Sequence, residues 1–139
     1  LEDLGLTTAL HVLVENFAVA QRLNWQTGVD ELDDLFEVPV QTAIYRMVQE
    51  ALTNIGKHAR AQNVWLRARR VDSEVEFSVK DDGQGFNLSE ALASKRTLGL
   101  LAMEERVKIL RGTLNIVSRE QAGTKITFTI PIFQRKDRQ

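Results

Sequence analysis

The feature that most constrains this chain is a helical pattern of more than twenty residues, running from about Val40 to Ala61. At about 100° per residue, Ile44, Val48, Ala51, Leu52 and Ile55 fall on one apolar face. Glu50, Asn54, Lys57 and His58 gather along one flank of that face, because residues three or four apart stack on a helix. A carboxylate, an amide and an ammonium thus point into the same space at the edge of a core. Taken alone, this stripe is equally a solvated face with an i,i+4 hydrogen bond. The residues downstream of it decide between the two.

From Asn63 to Val71 the pattern alternates, with Val64, Leu66 and Ala68 on one side and Trp65, Arg67 and Arg69 on the other. Asp72-Ser73 predicts a tight hairpin. Glu74 to Asp81 alternates again: Val75, Phe77 and Val79 point one way, Glu74, Glu76, Ser78 and Lys80 the other. Such strands make a sheet with one packed and one wet face. Gly83 and Gly85 then break the period, and residues 87–97, polar and small, read as a mobile segment. Leu98 to Arg111 is a helical pattern with Leu100, Leu101, Met103, Val107 and Leu110 apolar, and Gly112 is its expected stop. Thr113–Ser118 and Lys125–Phe133 predict a closing hairpin, with Ile126, Phe128, Ile130 and Ile132 on one face.

Upstream, Leu4 to about Ala20 reads as an amphipathic helix on Leu6, Leu10, Leu13, Val14, Phe17 and Ala18, with Thr7 or Thr8 as its cap. A short strand is expected between Gln21 and Gly28, around Leu23 and Trp25. The acidic run 30–34 is a loop, and Pro39 suits the first turn of the long helix. The expected fold is α+β: a two-layer α/β sandwich whose mixed, mainly antiparallel sheet is covered on one face by about three helices. One domain over residues 1–134 and a tail over 135–139 are expected.

Composition narrows the function classes. A net charge of -1 leaves no electrostatic footprint for nucleic acid or an anionic membrane. The basic groups at Arg67, Arg69, Arg70 and at Arg135, Lys136, Arg138 read as solvated surface. Absence of Cys excludes disulfides, zinc thiolates and thiol nucleophiles, and suits a reducing compartment. No apolar run reaches the length of a membrane span and no signal peptide is evident, so a cytoplasmic domain without direct membrane contact is expected. Starting at Leu1, the chain reads as a fragment of something longer.

Asp81 is the most informative single residue. Strict alternation puts it on the side of Val75, Phe77 and Val79, where an ionised carboxylate is costly unless donors meet it. Gly83 and Gly85 let something come close to the backbone beside it. A buried acid beside bare backbone suits a flat heterocycle with an exocyclic amine, such as adenine; the plainer alternative is a solvated Asp-Asp-Gly turn. Thr97-Leu98-Gly99 opens the last helix, whose free N–H groups suit phosphate, and Lys57 could reach the same charge. Asn54 and Glu50 carry the hard oxygens that Mg²⁺ prefers. A dinucleotide fingerprint at Gly83-Gln84-Gly85 fails because position 88 is Leu, and no Gly-Lys-Ser/Thr phosphate loop exists.

Four boxes now stand in order: Glu50-x-x-x-Asn54-x-x-Lys57-His58-Ala59, Asp81-x-Gly83-x-Gly85, Gly99-Leu100-x-x-Met103-x-Glu105-Arg106, and Gly123-Thr124. Together, from Leu4 to about Phe133, they resemble the ATP-binding domain of sensor histidine kinases, in the subfamily that includes bacterial nitrate/nitrite sensors. The fold implied is the Bergerat fold shared with type II topoisomerases, the heat-shock chaperone ATPase and mismatch-repair ATPases. The resemblance implies ATP and Mg²⁺ as ligands. By position, Asn54 would ligate Mg²⁺, with Glu50 binding its water or helping to activate the attacking group, and Lys57 and His58 would line the phosphates. Asp81 would take the adenine amine, Thr124 would support it through water, and Gly83 and Gly85 would shape the pocket. Residues 86–98 would form a lid, closing with Gly99 and Leu100 onto the triphosphate. Thr97 stands where relatives often carry a glycine, and its hydroxyl could contact phosphate.

The implied activity is transfer of the γ-phosphoryl group to a histidine on an upstream dimerisation helix, then to a response regulator receiver domain. Neither His11, followed by Val12 and Leu13, nor His58 resembles the acceptor, so that helix is expected outside this fragment, in a parent that can be membrane-anchored. The alternative is a nucleotide-sensing or protein-interaction module of the same fold without turnover.

Overall fold

The computed structural model describes residues 4–86 and 98–132. The alternating segments form the middle of the sheet: β2 (Asn63–Val71) and β3 (Glu74–Asp81) keep the bounds read from their period. Around them lie α1 (Leu6–Gln21), β1 (Asn24–Val29), α2 (Val38–His58), α3 (Leu98–Ile109), β4 (Thr113–Ser118) and β5 (Thr124–Pro131). Among the described residues five strands run in the order β1-β2-β3-β5-β4. Because α2 returns the chain to the starting edge, β1 pairs parallel with β2; the other neighbours are antiparallel.

The packed face carries Val64, Leu66, Ala68, Val75, Phe77, Val79, Ile126, Phe128 and Ile130, all buried. Phe77 and Phe128, opposite one another in register, stack at 4.9 Å with rings 14° apart. Against this face α2 buries Ile44, Met47, Val48, Ala51, Leu52 and Ile55, while α1 contributes Leu6, Leu10 and Val14 to the same core. The two-layer α+β arrangement expected from the sequence is the one observed, with three helices among the described residues.

Several local expectations change. Helix α1 starts at Leu6, after Gly5 at φ 77°, and it is capped across the chain rather than by Thr7 or Thr8. Asp33 Oδ1 accepts from the Thr7 amide at 3.1 Å, and the Thr7 hydroxyl instead accepts from the Leu32 amide at 2.9 Å. Helix α2 ends at His58, short of Ala61, because Arg60 turns left-handed at φ 51°. Helix α3 ends at Ile109, and the left-handed residue that stops it is Arg111 at φ 63°, not Gly112. Gly112 is needed for space: a Cβ there would lie 2.0 Å from the Thr129 carbonyl oxygen. Among the described side chains of α3 only Met103 and Val107 are buried; Leu101, expected on the apolar face, is 49% exposed. Ser78 is only 8% exposed although it points to the wet face, since Arg67 and Thr127 flank it in register. The expected end of the last strand at Phe133, the tail 135–139 and the segment 87–97 lie outside the described residues.

Candidate functional site

β3 delivers Asp81 to the end of the packed face, 1% exposed, opposite Val64 on β2 and Thr124 on β5. Its Oδ1 accepts a 2.7 Å bond from the Gly83 amide. Burial pushes the Asp81 carboxyl above its ordinary value; the Gly83 and Thr124 amides pull the other way, and the charge of Asp82 adds to the rise. Asp82 differs. Burial pushes it up too, but the Asn63 side chain and the Asn63 and Gln62 amides outweigh that and hold it below the ordinary carboxylate value. These donors approach at 2.7, 2.8 and 2.9 Å, so Asp82 ties the start of β2 to the end of β3.

The glycine segment after it is held by backbone on both sides. The Gln84 amide donates to the Ala59 carbonyl at the end of α2, 2.6 Å away, and the Gln121 amide donates to the Gln84 carbonyl at 2.5 Å. A Cβ on Gly83 would lie 2.1 Å from the Ala59 oxygen, and one on Gly85, at φ 62°, would lie 1.9 Å from the Arg119 oxygen. The close approach that these glycines permit is therefore to α2 and to the β4–β5 turn. The segment is braced in place, and one rim of a cavity is fixed by it.

That cavity, about 250 Å³, opens between α2, the sheet and the start of α3. Ala51, Ile55, Val79 and Ile126 give it apolar walls suited to a flat ring. Asn54 and Lys57 enter from α2, Asp81 and Thr124 from the sheet, Gly85 and Phe86 from the glycine segment, and Leu100 from α3. Six residues singled out from the sequence, Asn54, Lys57, Asp81, Gly85, Leu100 and Thr124, thus meet around one space. Glu50 is half-buried one turn before Asn54 on α2 and does not line the cavity, and Gly83 lies behind its wall. His58 is the last residue of α2 and Gly99 the second of α3; Thr97 lies outside the described residues.

The sequence reading missed Arg60, Gln84, Val79, Ile126 and Phe86 as wall residues. Two of these were within reach: Val79 shares its strand face with Asp81, and Ile126 shares its face with Thr124, so alternation alone places them beside the expected base.

Residues 40–134 match the family described as histidine kinase-, DNA gyrase B- and HSP90-like ATPase. The chain is 32% identical over 132 residues to the sensor histidine kinase MctS of Rhizobium johnstonii, covering 94% of this chain and 28% of MctS. It is also 32% identical over 136 residues to the signal transduction histidine-protein kinase/phosphatase DegS of Bacillus subtilis, covering 95% of this chain and 35% of DegS. This chain therefore spans about a third of the length of these curated relatives. The histidine kinase domain of the blue-light activated histidine kinase from Erythrobacter litoralis superposes with a TM-score of 0.81 at 23% identity, over 96% of this chain and 64% of that one. The order of boxes, the sheet topology and the matched span agree, and the chain belongs to the histidine kinase-, DNA gyrase B- and HSP90-like ATPase family.

Proposed function

We propose that this domain binds Mg-ATP in the cavity and passes the γ-phosphoryl group to a histidine on a dimerisation helix of its parent protein. The observation that carries this reading is Asp81, buried in the wall of a cavity that Asn54 and Lys57 enter from α2. A buried carboxylate is a strong acceptor for the exocyclic amine of adenine, with Thr124 supporting the base through water. Val79, Ile126 and Ile55 would pack on the ring faces. Gly85 lines the pocket, and Gly83 holds its wall in place.

The phosphates would extend toward Lys57 and His58 and toward the first residues of α3, where Gly99 and Leu100 stand at a helix N-terminus. Among the described residues no three His, Asp or Glu side chains converge on a metal site. Mg²⁺ needs no such cluster, because it keeps several waters and takes one or two protein oxygens plus phosphate oxygens. Asn54 would supply its amide oxygen, and Glu50 would hold a bound water or help activate the attacking group. When bound, the ion neutralises charge developing on the transferred group. The rest is positioning: Lys57 adds charge, and Asp81 anchors the base so that the γ-phosphorus faces the acceptor. The imidazole nitrogen then attacks phosphorus while the bond to the bridging oxygen of ADP breaks. The phosphohistidine would pass its group to an aspartate of a response regulator receiver domain.

His11 supports an acceptor on another helix. It is half-buried on α1 with Nδ1 2.7 Å from the Thr27 hydroxyl, so it faces β1 rather than an incoming phosphate. Among the described residues no helix is long and apolar enough to cross a membrane.

The test is calorimetric titration with ATP, with and without Mg²⁺, followed by transfer of labelled γ-phosphate to the parent's dimerisation helix supplied separately. Mg²⁺ should tighten binding, Asn54→Ala should erase that gain, and label should reach the added helix. Indifference to metal would leave a nucleotide-sensing module without turnover. Acid-labile label retained on this chain itself would overturn the partner-helix reading.

A further inference from the structure

β4 is one edge of the sheet, and among the described residues no strand pairs with its outer side. Thr113–Ser118 contains neither a charged residue nor a proline, the usual guards of an exposed edge. Leu114 and Ile116 lie half-buried on its packed face, opposite Phe128 and Ile126 in register. Between that strand and α3 runs a groove of about 440 Å³. Leu100, Leu101, Leu114 and Ile116 make it apolar, and Glu104 and Lys108 stand on its helix side. Among the described residues it shares only Leu100 with the candidate nucleotide cavity. Leu101, half exposed, is a large apolar side chain left in this groove without cover from the rest of α3.

We propose that the β4 edge and the groove beside it are the contact surface for a second copy of this chain. The surface itself describes what fits it: an extended strand for the edge, flanked by an apolar helix side that carries one acid and one base. This chain carries that combination, in β4 and α3. Glu104 and Lys108 lie one turn apart on α3, 3.2 Å from one another, with side chains 50% and 71% exposed. A two-fold axis perpendicular to the sheet beside β4 pairs the strand antiparallel with its copy. The same axis lays the two α3 helices antiparallel in one layer, the same patch serving both protomers. With the axis between the two charges, Glu104 faces the partner's Lys108, and Lys108 faces the partner's Glu104. The edge amides gain acceptors, and each Leu101 enters the apolar space between the paired helices and strands. Two such domains carried on one dimeric parent would meet at an effective concentration of about 1 mM, so a weak contact suffices.

The experiment is sedimentation velocity of this chain, without nucleotide, so its failure leaves the ATP reading untouched. From about 10 μM to about 1 mM the wild type should pass from monomer to dimer and no further, since a two-fold contact closes on itself. Glu104→Lys and Lys108→Glu, each alone, should weaken association about tenfold, because like charges then meet across the axis. Both side chains are at least half exposed, so each variant should keep the fold, as melting temperatures within a few degrees of wild type would show. An equal mixture of the two variants should associate again. Every charge in the mixed pair meets its opposite, although neither chain keeps its own i,i+4 pair. Amide exchange reads the strand: Thr113–Ser118 should exchange more slowly as concentration rises. A wild type that stays monomeric to about 1 mM, leaving the groove to a different protein, overturns the proposal. So does a mixture that associates no better than its components, or a dimer that leaves exchange in β4 unchanged.

Discussion

Burial of Asp81 puts a carboxylate where its ionised form is costly, and the neighbouring acid is held ionised by three donors. The two therefore respond to pH with opposite signs. Asp81 has a raised pKa in the folded state, so between its unfolded and folded values the native state holds the extra proton, and stability falls as pH rises through that window. Asp82 is lowered, so the stability it contributes is present above its unfolded value and is lost as pH falls through its folded value. Denaturant melts across the acid range should show Asp82→Asn losing less stability on acidification than the wild type. Asp81→Asn should show a steeper rise of stability with pH than the wild type; parallel curves for either variant would contradict the assignment. On the proposed reading ionised Asp81 accepts from the base, so ATP binding should strengthen as pH rises through its titration. Asp81→Asn should abolish ATP binding with an unchanged circular dichroism spectrum, since an amide can still accept the Gly83 bond but offers the amine a weaker partner.

Among the elements, α2 is the one on which the site depends. Its apolar face fixes it on the sheet, and that rotation alone presents Asn54 and Lys57 to the cavity. The Ala59 carbonyl at its C-terminal end accepts from the Gln84 amide and sets the path of the glycine segment. Gly83→Ala should therefore destabilise the fold by about 2–3 kcal/mol, because a methyl group cannot share space with the Ala59 oxygen and α2 must shift away from β3. Chemical denaturation would read that loss, and a stability within about 0.5 kcal/mol of wild type would show that the joint yields without cost. α3 is held more lightly, by Met103 and Val107, yet it brings Leu100 to the cavity. Its weak burial pattern is why the sequence overestimated its apolar face.

For the whole molecule, the cavity is enclosed by α2, the ends of β3 and β5, the glycine segment and the start of α3, so a bound nucleotide should stabilise the fold as a unit. A ligand at 100 times its dissociation constant adds about 2.7 kcal/mol if it binds only the native state. A thermal melt with Mg-ATP should move upward, one with Asp81→Asn should not, and an unmoved wild-type melt would contradict the ATP site. Much of this architecture is written in local periodicity. The bounds of β2 and β3, the apolar face of α2 and the inward-facing Asp81 follow from periods of two and 3.6 residues, because a face in contact with the core must be apolar wherever it is. Contacts between distant segments carry no such period. That Asp33 caps α1, that the glycines pack closely on the Ala59 and Arg119 carbonyls, and that Ser118 reaches Thr124 and Phe86 depend on which strands lie side by side. The amino-acid order specified each face; only the pairing of β3 with β5 and of β5 with β4 decided which side chains would meet, because register joins residues that the chain itself keeps far apart.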